Sequence, residues 1–70
     1  MKSSYIIAID NAFEKKSEIT ALDCSIAHQE YVSEHADWHE FSSLLTLMAD
    51  CDFIKRVGST NGGMTLYSRI

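Results

Sequence analysis

All three glycines of this 70-residue chain, Gly58, Gly62 and Gly63, fall within six consecutive positions. On either side lie two runs with strand character, residues 53–57 (Phe-Ile-Lys-Arg-Val) and residues 64–70 (Met-Thr-Leu-Tyr-Ser-Arg-Ile). Asn61-Gly62-Gly63 supplies residues that tolerate positive φ, which the tip of a hairpin requires. The chain is therefore predicted to end in a β-hairpin.

The segment before the hairpin has a different period. Asp37 and Glu40 have the spacing of a capping box, and an apolar stripe follows at Phe41, Leu44, Leu45 and Met48. This pattern predicts a helix over 38–50. At 100° per residue, His39, Ser42, Ser43, Thr46 and Asp50 point away from the stripe, so small polar groups dominate the outer face. Leu47 widens the apolar arc to about half the circumference, which calls for a second packing surface from helix one or another subunit. Trp38, just after the cap, is expected to close the edge of the core.

The first half admits two readings. Residues 5–9 carry three isoleucines, which favours a strand, yet Ile6, Ile9 and Phe13 also make one helical face. Thr20-Ala-Leu-Asp23 has the form of a helix start, but Leu22, Ile26 and Val32 share no clean stripe. Two α+β architectures follow. One has helices near 3–16, 20–33 and 38–50 before the C-terminal hairpin; the other places an N-terminal β-hairpin before two helices and the C-terminal hairpin. No proline, linker or repeat divides the chain, so a single domain is expected. Domains this small bury only about 60% of their extended-chain surface, which favours a partner or a second copy.

Charge is distributed unevenly. The net charge is −4, yet no Lys or Arg lies between Lys16 and Lys55. Glu18, Asp23, Glu30, Glu34, Asp37, Glu40, Asp50 and Asp52 fill that stretch, while the hairpin carries Lys55, Arg56 and Arg69 and no acid. An acidic helical centre precedes a basic tail.

Residues 41–70, FSSLLTLMADCDFIKRVGSTNGGMTLYSRI, resemble the end of a winged helix-turn-helix domain: recognition helix, short break, strand with a basic pair, glycine-rich wing and aromatic return strand. Upstream, KKSEITALDCSIAH is similar to the join where helix one ends, a brief strand forms and a threonine caps helix two. The small winged-helix regulators of bacterial fimbrial operons end in much this way. The resemblance implies a regulator whose third helix enters the major groove and whose wing contacts phosphate. Carried over by position, it implies base reading by His39, Ser42, Ser43 and Thr46, with Lys55, Arg56, Asn61 and Arg69 near phosphate. Unlike most members, this chain has no Arg or Lys on that helix, so it lacks much of the counterion-release contribution to affinity. Weak binding, or binding as a cooperative dimer, is expected.

The acidic centre supports a rival expectation, in which Glu30, Glu34, Asp37 and Glu40 bind a basic nucleic-acid-binding protein where phosphates would lie. Lys15 and Lys16 are further candidate phosphate contacts. The other constellations are weaker. Cys24 with His28, and His35 with His39, have helical i, i+4 spacing, but structural zinc sites usually carry more cysteines, so neither metal nor cofactor is expected. Gly58-x3-Gly62-Gly63 lacks the Lys and helix of a phosphate-binding loop. A chain this short rarely forms a catalytic pocket, so neither enzymatic activity nor a small-molecule substrate is expected. The longest apolar run, residues 5–9, is too short for a membrane span or signal peptide. A cytoplasmic location with free thiols at Cys24 and Cys51 is the expectation.

Overall fold

The computed structural model describes residues 3–33 and 36–70. Its elements are α1 (Ser3–Lys15), β1 (Glu18–Ile19), α2 (Ala21–Val32), α3 (Trp38–Asp50), β2 (Ile54–Ser59) and β3 (Thr65–Arg69). Three helices thus precede the C-terminal hairpin, the first of the two architectures expected. The N-terminal β-hairpin is not formed: residues 3–15 are helical, and only Glu18 and Ile19 are extended.

The helical outcome at the N-terminus follows from how small residues pack. α1 buries Ala8, Ile9, Ala12 and Phe13, an i, i+4 pattern that uses two alanines. Ile6, which the sequence placed on the buried face, is 42% exposed. α2 also buries a face of mostly small or polar residues: Ala21, Cys24, Ser25, Ala27 and His28. Leu22 and Ile26 remain outside. The Thr20 hydroxyl accepts from the Asp23 N–H at 3.2 Å, and the Asp23 carboxylate accepts from the Thr20 N–H at 2.9 Å. Burial opposes ionisation of Asp23, but the Thr20 N–H bond and Lys16 outweigh it and hold the carboxyl below its usual range.

α3 buries Phe41, Leu45 and Ala49, with Leu44 and Met48 partly buried against the same core. Its cap is simpler than expected. The Asp37 carboxylate accepts from the His39 N–H at 3.0 Å, and Glu40 turns outward to accept from the Tyr5 hydroxyl at 2.6 Å, so no reciprocal box forms.

The sheet is antiparallel with order β1-β3-β2. Glu18 pairs with Ser68 and Ile19 with Tyr67, which anchors the end of α1 beside the return strand. Gly58 lies within β2 at a register shift between Arg56 and Gly58 rather than in the turn. The turn is closed by Thr60, whose N–H donates to the Met64 carbonyl at 2.8 Å. Gly63 supplies its positive φ of 86°. No described helix is long and apolar enough to cross a membrane.

Candidate nucleic-acid interface

Because Phe41 and Leu45 point into the core, the opposite side of α3 must face outward. His39, Ser43 and Thr46 are exposed there in one row. Ser42 is half-buried, turned toward the hairpin, where it lines a cleft of about 300 Å³ with Trp38, Gly62, Gly63, Met64 and Tyr67. Two contacts set the hairpin against this helix. The Thr46 and Tyr67 hydroxyls lie 3.4 Å apart, and the Arg56 guanidinium donates to Asp50 at 3.0 Å.

The basic residues separate into different neighbourhoods. Lys55 is exposed on β2 and forms no ion pair among the described residues. Asn61 is exposed at the hairpin tip. Arg56 lies beside α3 but is shared with Asp50, whose hydrogen bond raises the guanidinium pKa further. Arg69 does not join them. It donates to Asp10 of α1 at 2.7 Å, lies 3.7 Å from Glu14, and sits over the Phe13 ring at 5.3 Å. Lys15 and Lys16 are likewise engaged, pairing with Glu30 at 2.7 Å and Asp23 at 3.1 Å. Such exposed pairs contribute little stability and exchange readily, but each carboxylate offsets the positive charge a phosphate would meet.

The acidic residues of the rival expectation are dispersed too. Glu30 faces α1 through Lys15, Glu40 faces α1 from the α3 side through Tyr5, and Asp37 caps α3. Glu34 and His35 lie outside the described residues. No continuous acidic face joins the described members.

Trp38 makes a further contact at the start of α3. It is 39% exposed at the edge of the core, where it lines the cleft with Met64 and Tyr67, and it stacks on His39, with ring centroids 3.8 Å apart at 30°. The signal in the sequence was its place at the start of the helix, where an aromatic can anchor a partner as well as seal a core. Cys24 and His28 are both buried, the His28 Nε2 lying 3.4 Å from the Ser4 hydroxyl and its ring edge-on to Tyr5. Among the described residues, no group of three or more His, Cys, Asp or Glu side chains is placed to hold a metal ion. Both cysteines are free thiols. No family model, curated protein or solved structure matches this chain.

Proposed function

We propose that this chain is a small non-enzymatic regulator of winged-helix type, acting in the cytoplasm, that binds DNA through α3 and the hairpin. The observation that carries this reading is the row His39, Ser43 and Thr46 on α3, exposed beside a hairpin whose Arg56 reaches the same helix and whose tip carries Asn61. A helix of 13 residues is about 20 Å long and, at about 10–12 Å across, fits the roughly 12 Å width of the major groove. Hydroxyls and an imidazole on that row bond to base edges as donors or acceptors, and Lys55 supplies a phosphate contact.

Charge sets the limits of such binding. Among the described residues Lys55 is an unpaired cation and Arg56, beside α3, is shared with Asp50, so few counterions are released there, a single copy binds weakly and two copies on adjacent half-sites bind cooperatively. The alternative, an acidic face on a basic protein partner, has less support, because Glu30 and Glu40 are held by separate neighbours.

Selection from a randomised duplex library at low salt tests the reading. An enriched motif that is lost in the triple variant His39→Ala, Ser43→Ala, Thr46→Ala is the expected result. Absence of any enriched motif contradicts it.

A further inference from the structure

We infer that the cleft between α3 and the hairpin binds one flat, uncharged heteroaromatic ring of nucleobase size. The class of ring is read from the lining, and the choice of a nucleobase among such rings rests on the DNA reading. Trp38 and Ser42 of α3 stand on one side of the cleft, with Gly62, Met64, Thr65 and Tyr67 of the hairpin on the other, around a volume of about 300 Å³. That volume lies at the small end of ligand pockets, which suits a single ring system rather than a larger molecule.

The lining selects the chemistry. None of the residues around the cleft is charged, so an ionic ligand would lose its hydration there without gaining a counter-charge. His39 covers one face of the Trp38 indole at 3.8 Å, and a ring in the cleft meets the remainder by stacking. The Met64 thioether adds a favourable sulfur contact to an aromatic ring. The hydroxyls of Ser42 and Thr65 make no side-chain hydrogen bond among the described residues, which leaves them open to the donors and acceptors on the rim of a heterocycle.

Gly62 is the most specific sign. Gly63 is needed for its positive φ, but Gly62 has none, and a Cβ built on it would meet only the Thr60 hydroxyl at an ordinary 3.8 Å. The turn itself therefore does not call for glycine at 62, and the bare backbone there leaves one wall of the cleft open to close approach by a ring. The Thr46–Tyr67 contact and the Arg56–Asp50 pair tie the two walls together, so the cleft is formed before a ligand arrives. The Trp38–His39 stack joins the cleft to the base-facing row of α3. A ring seated there comes from a free ligand or from a base turned out of a nucleic-acid strand.

Trp38 is the only tryptophan of the chain, so its fluorescence reports on the cleft. The protein is titrated with adenosine, with thymidine, and with an adenine- and thymine-containing oligonucleotide as single strand and as duplex, with excitation where nucleosides do not absorb. A saturable change is expected, half-complete at about 1 mM for a free nucleoside, the scale for a ring of about ten heavy atoms. Ser42→Leu and Gly62→Leu, each with unchanged helical circular dichroism, should weaken this response by about tenfold or more, and Ile26→Ser on the outer face of α2 should not change it. An oligonucleotide response at least about tenfold tighter than the nucleoside's, and lost in both cleft variants, identifies a base turned out of a strand; equal values identify a free ligand. A response to both nucleosides that never saturates, or saturation undiminished in both cleft variants, overturns the inference. A nucleoside response in a protein that binds no DNA leaves the cleft standing and removes the DNA reading, and duplex binding without any nucleoside response does the reverse.

Discussion

The Arg56 guanidinium lies 3.0 Å from the Asp50 carboxylate, so the last turn of α3 neutralises one half of the hairpin's basic pair. Releasing that cation should strengthen attraction to phosphate. Asp50→Asn is expected to raise DNA affinity about three- to tenfold at moderate salt and to steepen the dependence of log K on log salt by about one. Fluorescence anisotropy over a salt series measures both. Equal slopes for the two proteins would show that Arg56 does not meet phosphate.

Stability in acid should depend on the cap of α2. The Asp23 carboxyl is held below its ordinary value of 3.8 in the folded protein: burial raises it, but the Thr20 N–H bond and Lys16 lower it more. A depressed folded value means that the contribution is complete above 3.8 and is lost as pH falls through the folded value. Asp23→Asn should therefore be destabilised at pH 7, by about 1 kcal/mol in urea, and the gap to wild type should close in strong acid. A gap that is constant with pH contradicts this account.

The end of α3 carries strain that can be relieved. Asp52 has φ of 63°, and its N–H and that of Phe53 donate to the Ala49 and Met48 carbonyls at 3.1 and 3.0 Å. This is a Schellman arrangement with aspartate at the position glycine normally fills. Asp52→Gly is expected to stabilise the domain by about 0.5–1 kcal/mol, read as a higher urea midpoint at unchanged m-value.

The two thiols should differ in reactivity. Cys24 is fully buried, and burial followed by the nearby Asp23 charge pushes its pKa up to about 12. Cys51 is exposed at the end of α3. Titration with a disulfide reagent at pH 8 should show one fast thiol per native chain and two in denaturant. Cys51→Ser should abolish the fast reaction.

The legible parts of the fold were those governed by local chemistry. Asp37 before the Phe41–Leu45 stripe, Thr20 before Asp23, and the glycine cluster between two strands all act within a few residues. The N-terminal half was ambiguous because its core is built from Ala8, Ala12, Ala21 and Ala27, which periodicity arguments weigh lightly, while Ile6, Leu22 and Ile26 stay outside. Their exposure reflects where neighbouring elements run, which no local pattern encodes. His39, Ser43 and Thr46 on the outer row of α3 were visible from helical angles alone, whereas Ser42, placed with them, turns half-buried toward the hairpin. The fate of the charges was not, since the Arg69–Asp10 pair joins residues 59 positions apart and Lys15–Glu30 joins two helices. The stacking of Trp38 on His39 was not legible either, since a helix-start aromatic leaves its neighbour open.

DNA binding by α3 and the hairpin is tested most directly by anisotropy titration of a selected duplex across a salt series, comparing wild type with Lys55→Glu, Arg56→Glu. Both positions are exposed, so the double variant should keep its fold. The wild type should bind with an affinity that falls steadily as salt rises, and the double variant should show no binding even at low salt. Salt-insensitive binding by the wild type, or undiminished binding by the double variant, contradicts the account.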